Sequence, residues 1–149
     1  MRQLLRLVPF ILGLGLACAP DERDFVGEYI TASDAAIREI CECDYNNPLV
    51  LLGFGYTAFD SAQSCEAEVG IDSAERGCVE GLFADEVTDY SAVLDCRANA
   101  AGRASACLNG KTCTDTARLD CFSQYGDEIE DCPDLPNDID NKLNDCLRN

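Results

Sequence analysis

Apolar positions recur along this chain at helical rather than strand spacing. Phe25, Tyr29, Ala36, Ile37, Ile40 and Cys41 fall near one helical face, which predicts a first helix over about 24–43, ending before Asn46-Asn47-Pro48. Gly27 weakens its first turn, so a later start at Thr31 or Ser33 competes. Residues 49–57, LVLLGFGYT, are apolar but carry two glycines; a buried loop, a strand and a broken helix all suit them. Asp60-x-x-Gln63 has the form of a capping box and predicts a short helix through Cys65 to about Val69, stopped by Gly70. Asp72-x-x-Glu75 predicts another, to about Ala84. Thr88-Asp89 opens the longest, through Cys96 and Cys107, with Gly110 as a left-handed stop. Thr114-Asp115 opens a helix to Tyr125, before Gly126, and Pro133 and Pro136 bound a loop. Asn137 caps a last helix in which Ile139, Leu143, Cys146 and Leu147 share one face. No strand alternation competes. The predicted class is all-α, a small disulfide-stapled bundle of about five or six helices.

Residues 1–17, MRQLLRLVPFILGLGLA, do not belong to that bundle. Arg2 and Arg6 give a positive start, and Leu7 to Ala17 is an uncharged apolar run. The run is shorter than the roughly 20 residues that span a bilayer as a helix. A charged start, a short apolar core and small residues before a cut make a secretory signal. Ala17-Cys18-Ala19 fits ordinary signal peptidase, but the residue after that cut would be Pro20. The alternative cut lies before Cys18. Gly15-Leu16-Ala17-Cys18 resembles the lipobox of bacterial lipoproteins, departing from it at Gly15, where a leucine is usual. That resemblance covers the first 18 residues and implies a diacylglyceryl group on Cys18. It divides the chain into a signal (1–17), a short tether (18–24) and a cysteine-rich helical domain (25–149). The implied location is the bacterial cell envelope, lipid-anchored and facing the periplasm or the exterior; plain secretion is the alternative.

From Cys18 onward the chain carries nine Lys and Arg against all 28 Asp and Glu, a formal charge of −19. Such a chain repels nucleic acid and anionic lipid headgroups and tolerates a basic protein partner or a cation. Solvated acidic faces that keep a small helical protein soluble account for the same charge. Histidine is absent, which removes His-based acid–base catalysis, Ser-His-Asp and Cys-His sites, and His-containing zinc sites. No catalytic residue, cofactor or metal site is assigned.

Eleven cysteines, less Cys18, leave ten: Cys41, Cys43, Cys65, Cys78, Cys96, Cys107, Cys113, Cys121, Cys132 and Cys146. The even number allows five disulfides. Cys96 and Cys107 lie close to three helical turns apart, on one stripe. Facing residues of an antiparallel helical hairpin have a nearly constant sum of residue numbers. Cys107 with Cys113 gives 220 and Cys96 with Cys121 gives 217, so a turn near Asn109-Gly110 predicts the pairs Cys107–Cys113 and Cys96–Cys121. The arrangement resembles the paired-cysteine hairpins of twin-CxnC proteins, in geometry alone. Proximity predicts Cys132–Cys146. Cys41 and Cys43 point about 200° apart on a helix, so they meet different partners. One bond to Cys65 and one to Cys78 would complete the set, in an order the spacing leaves open.

Three functions compete on these residues. The first is a non-catalytic envelope protein with a structural or protein-binding role. The second is a thiol-disulfide enzyme using Cys41-Glu42-Cys43; its place near a helix C-terminus beside Glu42 and Asp44 is the wrong electrostatics for a low thiol pKa. The third is an inhibitor or immunity-type protein that offers an acidic face to a basic target. Asp127-Glu128-x-Glu130-Asp131 and Asp138-x-Asp140 are acidic enough for calcium, but no segment has the central glycine and terminal glutamate of a calcium loop. The overall pattern, a lipobox-like signal with scattered helical cysteines, resembles cysteine-rich lipoproteins of GC-rich bacteria such as myxobacteria, a likeness that implies no activity.

Overall fold

A computed structural model describes residues 23–52, 55–84 and 87–147. Among them the order is α1 (Phe25–Asp44), α2 (Pro48–Leu51), α3 (Ala62–Val69), α4 (Ser73–Phe83), α5 (Val87–Asn109), α6 (Arg118–Glu130) and α7 (Asn137–Cys146). No strand occurs among the described residues, and the all-α expectation holds. α2 is a single turn, so the undecided segment is a broken helix at its start.

Local chemistry sets most of the ends. Asp24 Oδ1 accepts from Gly27 N, and α1 therefore starts at Phe25 despite the glycine, not at Thr31 or Ser33. The Asp72/Glu75 capping box forms as expected. The other box is shifted by one residue: Ser61 and Ser64 exchange the reciprocal bonds, rather than Asp60 and Gln63. Gly70 ends α3 by donating to the Glu66 carbonyl. α5 ends at Asn109, yet Gly110 is not left-handed; among the described residues only Gly55 has a positive φ, at 84°. Asp115 Oδ1 accepts from Ala117 N in a turn that precedes α6, so that helix opens at Arg118 rather than at Thr114-Asp115. It then runs through Gly126, which is exposed and meets no steric stop, to Glu130. Pro136, not Asn137, occupies the cap position of α7.

α1 packs along α5, and the two run parallel: Arg23 pairs with Asp95 near their starts and Glu39 accepts from Asn109 near their ends. The 20 residues of α1 make a rod about 30 Å long. Buried Ala36, Ala98, Ala101 and Ala104 leave room for close approach of the two axes. Two apolar clusters sit at opposite ends of this pair. The near cluster, around the start of α1, buries Ile30, Val79, Phe83, Leu94, Ile139 and Leu143 among others. The far cluster gathers Ile40, Val50, Leu51 and Leu108 around Cys41, Cys65 and Cys121.

Candidate functional site

All ten cysteines of the domain are paired, in a pattern that corrects the predicted one. The bonds are Cys41–Cys65, Cys43–Cys113, Cys78–Cys146, Cys96–Cys132 and Cys107–Cys121. None of Cys107–Cys113, Cys96–Cys121 and Cys132–Cys146 forms. The hairpin rule itself survives. Cys107 with Cys121 and Cys96 with Cys132 both sum to 228, so α5 and α6 are antiparallel with their midpoint at residue 114. The error lay in the turn: residues 110–117 form a connecting loop, which moves the register by about two to three helical turns. Cys113 lies in that loop and reaches back to α1. Cys41 and Cys43 do take different partners, and Cys41 takes Cys65; Cys78, however, bonds to α7 rather than to α1. Cys18 lies outside the described residues.

Cys41 and Cys43 are thus not bonded to each other; each begins a bridge to another part of the chain. Cys41–Cys65 is buried at both ends, whereas Cys43–Cys113 is half-buried at Cys43 and exposed at Cys113. The latter lines a shallow recess with Glu39, Glu42, Asn109 and Lys111. It sits at the C-terminal, partially negative end of α1, which disfavours a thiolate there.

Beneath that recess lies a feature that composition did not reveal. Arg118, 3% exposed, and Asp44, 7% exposed, pair at 2.7 Å. Arg118 Nη1 also donates to the Leu108 carbonyl at 3.2 Å and Nη2 to the Glu39 carbonyl at 2.8 Å. One guanidinium thereby ties the ends of α1 and α5 to the start of α6, with its hydrogen bonds offsetting the cost of burying charge. An arginine at the first position of a helix, after a loop of Thr and Asp, carried no sequence signal for this role.

One carboxylate in each acidic stretch meets a cation. Glu128 accepts from Arg103 at 2.8 Å and Gln124 at 2.9 Å, and these bonds, Gln124's first, hold its carboxyl below the usual range. Asp140 faces Arg97 at 3.4 Å. Among the described residues no three His, Cys, Asp or Glu side chains converge on a metal position. Burial pushes the Tyr29 phenol up, against the opposing charge of Arg97 and a hydrogen bond with Ser33. Tyr125 beside it is raised by burial as well. A second open recess, between α1, α4 and α5, is lined by small residues such as Gly27, Ala32, Ala35 and Ala98 and by the charged Glu28, Arg76 and Glu80.

The large apolar side chains left in water are Leu49, Leu52 and Leu119, among the described residues. The apolar run 49–57 was legible; which of its leucines face out was not.

No protein-family model matches this chain, and neither curated proteins nor solved structures give a match. The class is defined by architecture instead: an all-α, disulfide-rich domain. Five disulfides belong to an oxidising, extracytoplasmic compartment. No helix among the described residues is long and apolar enough to cross a membrane.

Proposed function

We propose that this chain is a non-catalytic lipoprotein of the bacterial envelope, held by acyl chains on Cys18 and acting as a rigid structural or protein-binding module. The observation that carries the reading is the use of cysteine. Every cysteine from Cys41 to Cys146 is committed to a bond between different elements, so the domain offers a fixed surface and no thiol. The lipobox-like Gly15-Leu16-Ala17-Cys18 supports the anchor, and the missing histidine supports the absence of the commoner catalytic sites.

Intact-mass spectrometry tests it, on protein made in a lipoprotein-competent bacterium and alkylated after denaturation. The expected mass begins at Cys18, carries acyl chains and shows no alkylation. A mass without lipid removes the anchor, and two or more alkylated cysteines remove the fixed-scaffold argument. Exposure of Cys113 favours a second reading, thiol-disulfide exchange at Cys43–Cys113. An insulin-reduction assay decides between them: turnover abolished by Cys43→Ser would establish the exchange reading.

A further inference from the structure

We propose that the α2 turn, residues 47–52, is a docking surface whose Leu49 and Leu52 enter an apolar cleft, rimmed by Lys or Arg, on a protein partner. The inference rests on the protein-binding reading above and names its surface. In a chain with 26% charged residues, positions 45–59 contain none, and no other stretch after Cys18 is as long without charge. Within it α2 buries Val50 and Leu51, while Leu49 and Leu52 stand 76% and 61% exposed. Residues three apart share one side of a helical turn. A turn displayed to water ordinarily turns polar side chains outward; this one is apolar on both sides. A single exposed leucine is ordinary. Two on one side of the longest uncharged segment form a local surface unlike the rest of the molecule.

Bonds also tie both ends of this turn to the rest of the chain. Cys41–Cys65 closes the segment, and the Tyr45 carbonyl accepts from Phe59 N at 2.6 Å across its neck. Asn47 Oδ1 accepts from Leu49 N at 3.2 Å, and the Leu51 carbonyl accepts from Tyr56 N at 3.0 Å. Such ties reduce the ordering cost of binding. Charge selects the partner. Exposed Glu42 and Asp60 flank the uncharged segment, in a chain of formal charge −19 from Cys18 onward. That surround attracts a basic surface and repels an anionic membrane. An apolar centre inside a polar rim is the ordinary anatomy of a protein interface. The turn sits at the far end of α1, about 30 Å from its start, so the tether leaves it clear.

The experiment places a photoreactive benzophenone amino acid at position 49, 52, 68 or 103 of the full chain in the producing bacterium. Adducts are identified by mass spectrometry, and the identified partner is purified and titrated with wild type, L49D/L52D and the uncharged companion L49N/L52N. The expected result is a protein adduct at 49 and 52 but not at exposed Glu68 or Arg103. Both double variants then bind at least about tenfold more weakly, with circular dichroism unchanged, and binding weakens with added salt. Wild-type affinity in both double variants would overturn the proposal. So would lipid adducts with binding to phosphatidylethanolamine–phosphatidylglycerol vesicles, which would make the turn a membrane surface, or self-association lost in the double variants, which would make the occupant a second copy. Protein adducts at the control positions alone sink the turn but leave the protein-binding reading. An absence of protein adducts at all four positions sinks both.

Discussion

At the near end of the bundle, Phe83, Ile30, Leu94 and Val79 are fully buried and meet Ile139 and Leu143 of α7. Two disulfides serve that end: Cys78–Cys146 crosses it, and Cys96–Cys132 joins α5 beside Leu94 to the segment leading to Leu135. At the far end the cluster contains Ile40, Val50, Leu51 and Leu108 but takes much of its bulk from Cys41, Cys65 and Cys121. Three disulfides and the Asp44–Arg118 pair hold it. The near end is a hydrophobic core with two staples; the far end has three cross-links and one buried ion pair around a smaller apolar filling. A short chain that spends its large side chains at one end can still order the other, because a bridge acts on the unfolded chain and needs little buried area. Closing 14 residues, as Cys107–Cys121 does, contributes about 3 kcal/mol, and closing 70, as Cys43–Cys113 does, about 4 kcal/mol.

Reduction should have the largest effect and break the comparison altogether. Five bridges together rival the typical net stability of about 5–15 kcal/mol, so reduced protein should lose its helical circular dichroism. A cooperative melt near the oxidised midpoint would show that the apolar clusters suffice. Truncation sharpens the contrast between ends. Phe83→Ala should cost about 3–5 kcal/mol in denaturant unfolding through the cavity it leaves. At the far end Asp44→Ala should cost a similar amount, about 3–5 kcal/mol, by a different route: it strands Arg118 as a buried unpaired charge. The double replacement Asp44→Leu with Arg118→Met should recover most of that loss, and a double mutant as unstable as Asp44→Ala would show that the carbonyl bonds of Arg118, not its charge, matter.

Smaller effects follow. Tyr29 is raised above the ordinary phenol range in the folded state, chiefly by burial. Its contribution is therefore complete below about pH 10, the unfolded value, and is lost as pH rises from there through the folded value. Tyr29→Phe should flatten the alkaline fall in melting temperature, and an unchanged alkaline profile would exclude this group as its source. The smallest effect belongs to Glu128, a half-buried carboxylate paired with exposed Arg103. Its carboxyl is held low, so its contribution is present above the ordinary carboxylate range and fades as pH falls. Glu128→Gln should leave the melting temperature within error at neutral pH, as a differential scanning measurement would show.

The helices were legible because their signals are local. Asp72 and Glu75 meet across one turn, and the 3.6-residue spacing of Ile139, Leu143 and Cys146 is a property of α7 alone. Disulfide pairing was not legible, because it depends on how far the 110–117 connection carries the chain before α6 begins. A tight turn gives sums of 220 and 217; the loop gives 228 for two bonds at once. The Asp44–Arg118 pair was hidden for the same reason: its partners are 74 residues apart and meet only once α1, α5 and α6 converge.

The order of the bridges along the chain governs what a protease can achieve. Cys41–Cys65, Cys43–Cys113 and Cys78–Cys146 overlap end to end, so every peptide bond between Cys41 and Cys146 lies inside at least one covalent ring. A single cut anywhere in that span opens a ring without dividing the molecule, and the nicked protein should migrate as one species until it is reduced. Only cleavage before Cys41 severs the domain from what precedes it, and from Phe25 onward that stretch is packed helix. A cut near Arg23 and Asp24 would therefore leave the whole cross-linked body, from α1 to Cys146, in one piece.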